Sequence, residues 1–93
     1  LVHDAARPCL DHAAIDRLLE AGLASPDGAL LAMPVRDTLK RADADDRVEA
    51  TVDRDTLWAA QTPQLFPVQA LLDALRSQVE AGETPTDEAQ AME

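Results

Sequence analysis

The chain is 93 residues long and carries 18 acidic against eight basic side chains, a formal charge of −10, which fits one small domain or a piece of one. Hydrophobic residues make up 46% of it, with one Trp and one Phe, enough apolar mass for a core and unlike a disordered chain. The acidity argues against whole-surface binding of nucleic acid, no run approaches the ~20 apolar residues of a bilayer span, and a single cysteine, Cys9, can form no internal disulfide, which points to a reducing, cytosolic compartment.

The chain opens Leu1-Val2-His3-Asp4 on what reads as the end of a β-strand and stops at Glu93 inside what reads as a helix; the expectation is an internal fragment of a longer protein. Asp4-Ala5-Ala6-Arg7-Pro8 breaks the first strand into a loop. Asp11 is a plausible N-cap for a helix to about Ala24, with Ile15, Leu18, Leu19 and Leu23 on one face. Ser25-Pro26-Asp27-Gly28 stops it. Ala29 to Met33, closed by Pro34, reads as a buried strand, so the opening predicts a parallel βαβ unit. Thr38–Arg41 and Val48–Val52 are short β-prone runs around a turn at Ala42–Asp46, and this hairpin has little apolar surface to bury in its own core. Residues 35–55 are therefore expected to project as a β-arm. Leu57–Gln61 reads as a return strand ending at Thr62-Pro63. Pro67 sits well at the start of a helix to about Ala81, striped by Leu71, Leu72, Leu75 and Val79 and stopped by Gly82. Thr86-Asp87-Glu88 opens a last helix.

Several residues have the chemistry of a site. Asp4 and Arg7 follow a strand end, the edge at which open α/β sheets bind ligands; an Asp there can hold a cation or a sugar hydroxyl, and an Arg can reach a phosphate. On local pattern alone a loop salt bridge is preferred. Arg36, Asp37, Thr38, Lys40 and Arg41 form the one dense basic patch, suited to an anion or to a solvated edge strand. Arg54, between Asp53 and Asp55 at the end of the arm, is an ordinary ion pair unless the arm delivers it to a neighbour's site. Thr62 is expected at a strand end on the same edge as Asp4. His3 is expected to be a packed strand-end residue, His12 a helix-surface one, Cys9 a buried inert thiol and Trp58 a core residue. No GxGxxG, Walker A, HExxH or CxxC pattern is present.

Taken together, the runs have a family likeness. Val2-His3-Asp4-Ala5-Ala6-Arg7-Pro8-Cys9, Pro34–Arg41, Thr51-Val52-Asp53-Arg54, Leu57–Gln64 and Thr86-Asp87-Glu88-Ala89 occur in order over nearly the whole chain, and this series resembles the 2-C-methyl-D-erythritol 4-phosphate cytidylyltransferases. The resemblance implies a Rossmann-like α/β/α sandwich of the nucleotide-diphospho-sugar transferase type, of which this chain is an incomplete part. It implies cytidylyl transfer from CTP to methylerythritol phosphate in non-mevalonate isoprenoid synthesis, with Mg²⁺, in a cytoplasmic homodimer joined through the 35–55 arm. It assigns Asp4, Arg7, Thr38 and Thr62 to the substrate, Ala5 to the nucleotide, Asp4 to the metal, and Arg54 to the partner's site as the catalytic cation.

The family's N-terminal glycine-rich CTP loop and its late Lys are not in this sequence, so the chain alone is expected to be inactive. The alternatives are a ribitol-5-phosphate cytidylyltransferase, or a non-catalytic dimerisation module. A parent carrying a downstream cyclodiphosphate synthase domain is also compatible.

Overall fold

The structure, a computed structural model, describes residues 1–93. Its first helix, α1 (His12–Leu23), begins where Asp11 accepts the Ala14 N–H at 2.6 Å, satisfying one of the donors a helix start leaves free. Only part of the apolar stripe is covered: Leu18 is buried and Ile15 half-buried, while Leu23 stands in solvent. The turn after α1 closes on Gly28, whose φ of 85° suits glycine and whose missing side chain lets the Leu65 carbonyl and the Phe66 ring come close.

That turn feeds β1 (Ala29–Pro34), which pairs antiparallel with β4 (Trp58–Leu65) from Ala29 opposite Leu65 to Pro34 opposite Trp58, with an irregularity between Leu30 and Ala32. The other edge of β4 takes Val2: the Gln64 N–H and C=O both turn to the Val2 backbone, at 2.8 Å each. The Leu1–His3 segment and β1 are thus parallel to each other but not neighbours, because β4 lies between them and runs against both. This corrects the simple βαβ reading. A crossover helix fixes only that two strands run the same way, and a later strand can fill the gap.

β4 also outruns its predicted end, continuing through Thr62 and Pro63 to Leu65. Thr62 is therefore inside a strand and not at its terminus. Trp58, expected in the core, is 62% exposed at the opposite end of β4. Cys9, expected buried, is exposed.

Between β1 and β4 the chain makes a two-stranded ribbon, β2 (Leu39–Ala42) and β3 (Val48–Val52), in register from Leu39 opposite Val52 to Ala42 opposite Val48. Its turn is built on Asp43, whose carboxylate accepts the Asp45 and Arg47 N–H groups at 2.9 and 3.0 Å, the local bond that makes Asp a turn former. The ribbon packs extensively on no other element, and nearly all its residues are exposed.

After β4, α2 (Val68–Glu80) packs against α3 (Glu88–Met92) and leaves Val68 and Val79 in solvent. Leu18, Phe66 and Ala91 are the buried hydrophobic side chains, with Pro63 buried beside Gln64 on β4.

Candidate functional site

Three segments that are distant in sequence converge around the carboxyl end of the Leu1–His3 segment. The Asp4 N–H donates to the Thr62 hydroxyl at 2.9 Å, and the Arg7 N–H closes a turn on the Asp4 carbonyl at 3.1 Å. Within that turn the Arg7 Nε reaches the Asp4 carboxylate at 3.4 Å, with both side chains about half exposed. The pair is the loop salt bridge that local pattern favoured, and at this exposure it contributes little to stability. Its use is geometric: it holds a cation and an anion side by side at the mouth of a cavity.

His3, expected to be packed, is exposed yet bonded through both ring nitrogens, Nε2 to the Arg7 carbonyl at 2.7 Å and Nδ1 to the Thr62 hydroxyl at 3.0 Å. A carbonyl only accepts, so Nε2 carries a proton in that bond. A neutral ring then leaves Nδ1 as an acceptor for the Thr62 O–H. The Thr62 hydroxyl accepts from the Asp4 N–H and, with His3 in that tautomer, donates to its Nδ1, which ties β4 to the loop.

A cavity of about 330 Å³ opens beside this cluster, lined by Asp4, Arg7, Thr62, Gln64, Asp87 and Glu88 among others, and few of its walls are apolar. A second cavity of about 430 Å³ lies on the other side of Arg7 and includes His3, Ala6, Cys9 and Asp11. Both share Arg7, Gln61 and Thr62. The structure thus brings Asp4, Arg7 and Thr62 together. Ala5 lies in the exposed turn and lines neither cavity; its neighbour Ala6 lines the second.

Thr38 and Arg54 are elsewhere. Thr38 is exposed and directly precedes β2, and Arg54 is exposed just after β3, where its guanidinium donates to the Arg36 carbonyl. The tip of the ribbon is the Asp43–Arg47 turn, so Arg54 sits at the stem and not at the far end. Neither residue lines the cavity that holds Asp4.

Among the cavity residues that the sequence motifs do not mark as site residues, Gln64 and Asp87 are tied together. Gln64 is 1% exposed; its Nε2 donates to the Asp87 carboxylate at 3.0 Å and its Oε1 accepts the Ala89 N–H at 3.1 Å. Asp87 also caps α3 through Gln90 N at 2.8 Å. A polar residue in an apolar-flanked strand, as in Pro63-Gln64-Leu65-Phe66, is the signal that marks such a position, because a buried amide has to be bonded.

No three His, Cys, Asp or Glu side chains gather into a metal-binding group. Asp4 offers one carboxylate, already touched by Arg7. Mg²⁺ is commonly held by one or two carboxylates, with phosphate oxygens and water completing its shell. The chain therefore fits as the donor of a single ligand and not as a preformed cage. No helix is long and apolar enough to cross a membrane.

The comparisons with known proteins decide the family. The model of the family described as IspD, 2-C-methyl-D-erythritol 4-phosphate cytidylyltransferase, matches residues 1–93. This chain belongs to that family. Curated cytidylyltransferases of this name from Halorhodospira halophila and Shewanella amazonensis are 63% and 59% identical to it over 93 residues, covering all of this chain but 38% and 39% of their own lengths. The chain thus spans about two-fifths of the relatives it matches. A crystal structure described as 4-diphosphocytidyl-2C-methyl-D-erythritol synthase superposes with a TM-score of 0.81 at 50% identity, over 99% of this chain and 39% of that one. The Thermus thermophilus cytidylyltransferase superposes with a TM-score of 0.84 at 33% identity, over 99% and 44%. The mixed α/β chain is a part of the cytidylyltransferase fold, of the nucleotide-diphospho-sugar transferase type.

Proposed function

We propose that the full-length protein to which this segment belongs transfers a cytidylyl group from CTP to 2-C-methyl-D-erythritol 4-phosphate, releasing pyrophosphate, as a step of non-mevalonate isoprenoid synthesis. The observation that carries this reading is the family match over every residue of the chain, with Asp4, Arg7 and Thr62 of the shared motif converging on one polar cavity. Both relatives described above bear the methylerythritol phosphate name, which favours that acceptor over ribitol phosphate.

A phosphate oxygen of methylerythritol phosphate attacks the α-phosphorus of CTP, and the bond from that phosphorus to the pyrophosphate oxygen breaks. Both reactants are anions, so the enzyme acts chiefly by holding them in line and neutralising charge. In our reading Arg7 meets a phosphate, Asp4 and Thr62 bind the acceptor's polar groups, and Ala5 lies beside the nucleotide. Asp4 would hold Mg²⁺ through one carboxylate, and the ion would supply charge neutralisation to the phosphates. Thr38 and Arg54 act from the stem of the ribbon, in the active site of a second subunit. The separation of Arg54 and Thr38 from the Asp4 cavity within one chain, and the exposure of the 35–55 arm, support a homodimer in which the arm crosses to the partner. The single cysteine supports a cytoplasmic setting.

The test is pyrophosphate release by the full-length protein, supplied with CTP and either methylerythritol phosphate or ribitol 5-phosphate. The reading requires turnover with the first and little with the second; no turnover with methylerythritol phosphate overturns it.

A further inference from the structure

We infer that Gln64 is a positioning residue that assembles the walls of this cavity, a proposal that rests on the reading of the cavity as the acceptor site. Apart from Leu75 of α2, three segments line that cavity: the loop carrying Asp4 and Arg7, the strand β4 carrying Thr62, and the Pro85–Glu88 lip ahead of and into α3. Gln64, itself on β4, bonds to the strand end that leads into the loop and to the lip region. Its backbone N–H and C=O hold Val2, two residues before Asp4. It lies two residues after Thr62 on the same strand, and both residues line the cavity. Its side-chain amide holds Asp87 through Nε2 and Ala89 through Oε1.

The Ala89 N–H is in the first turn of α3, where the helix itself provides no acceptor. Gln64 Oε1 supplies one. The Asp87 carboxylate is shared between this amide and its own capping bond to Gln90. Gln90 in turn reaches back, its Oε1 accepting from Thr86 N at 2.6 Å and from the Thr86 hydroxyl at 3.0 Å. The lip is therefore internally rigid, and Gln64 is its side-chain tie to the sheet. An apolar residue of similar size would fill the space but leave Asp87 Oδ2 and Ala89 N without these partners. A Glu would put a second carboxylate where Nε2 now meets Asp87.

The experiment measures kcat and the KM for each substrate in the full-length enzyme, alongside thermal unfolding. Gln64→Leu and Gln64→Glu are each expected to raise the KM for methylerythritol phosphate about tenfold or more, the consequence of a buried bond left unmade, with the KM for CTP changed far less. Adding Asp87→Asn to Gln64→Glu restores the bond with its polarity reversed, since the Asn amide then donates to the carboxylate introduced on β4, and recovers part of the lost KM. Folded single variants with wild-type KM and kcat overturn the proposal. So does an equal rise in both KM values, which marks a general loss of structure. Should the variants fail to fold, hydrogen exchange on the wild-type enzyme decides: the Ala89 amide must exchange more slowly than that of Glu88, and equal rates refute the tie. A wild-type enzyme inactive with both substrates would instead defeat the functional reading.

Discussion

Replacing Thr62 by Val tests whether the hydroxyl that joins β4 to the Asp4 loop matters to catalysis more than to stability. The two side chains have nearly the same shape, so the change removes the oxygen and little else. That oxygen accepts the Asp4 N–H at 2.9 Å and meets His3 Nδ1 at 3.0 Å. Two hydrogen bonds at about 0.5–1.5 kcal/mol each set an upper range of about 1–3 kcal/mol. Asp4 and His3 are both exposed, so water replaces most of what is lost, and the stability cost should fall near the bottom of that range, at about 1 kcal/mol. Catalysis should suffer more. Without Thr62 the Asp4–Arg7 turn loses its side-chain anchor on the sheet, and a displacement of about 1 Å in a positioning group costs about 100-fold in rate. The assay is pyrophosphate release by the full-length enzyme under saturating CTP, with unfolding followed in parallel. Thr62→Ser, which keeps the oxygen, should recover most of the activity. A Thr62→Val enzyme within about threefold of wild-type kcat/KM, a difference below about 1 kcal/mol, would refute the argument.

Arg54→Ala in the full-length enzyme should lower kcat/KM by the equivalent of about 2–5 kcal/mol if the guanidinium meets a phosphate away from water; unchanged efficiency removes its assigned role. On the proposed homodimer, mixing that variant with Asp4→Ala under subunit exchange should restore about a quarter of the sites, because random mixed dimers would carry one intact composite site, and no recovery means that Arg54 does not act across such an interface. Leu18→Ala should destabilise by about 2–5 kcal/mol, read by denaturant titration, since Leu18 is 2% exposed and is one of few buried apolar anchors. Gly28→Ala should cost at least about 1 kcal/mol in the same assay, because its φ of 85° disfavours any Cβ and that Cβ would overlap the Leu65 carbonyl.

Local chemistry was legible in the sequence. Asp11 and Asp87 cap helices because short acceptor side chains before an apolar-periodic run do so wherever they occur. The turns at Gly28 and Asp43 followed from backbone preferences that act over a few residues. The two long helices begin and end within a few residues of where caps, prolines and glycines placed them, and the ribbon strands lie within one residue of their β-prone runs. The motif runs identified the family, because side-chain identity in order survives without any knowledge of contacts.

Partnership was decided only in three dimensions. Which strand lies beside Val2 depends on which edge β4 fills, and hydrophobic alternation is the same for either neighbour. Trp58 reads as core by composition, yet it stands at the end of β4 opposite Pro34, where this chain supplies nothing to cover it. Arg54 reads as a cation at the end of the arm, but the ribbon turns well before it, at Asp43, so the residue falls at the stem. Gln64 is the clearest case. Its amide has work to do because the strand edge, the Asp4 loop and the α3 lip meet around it; a single residue's sequence neighbourhood carries its own propensities, while the donors and acceptors that satisfy a buried amide arrive from other parts of the chain.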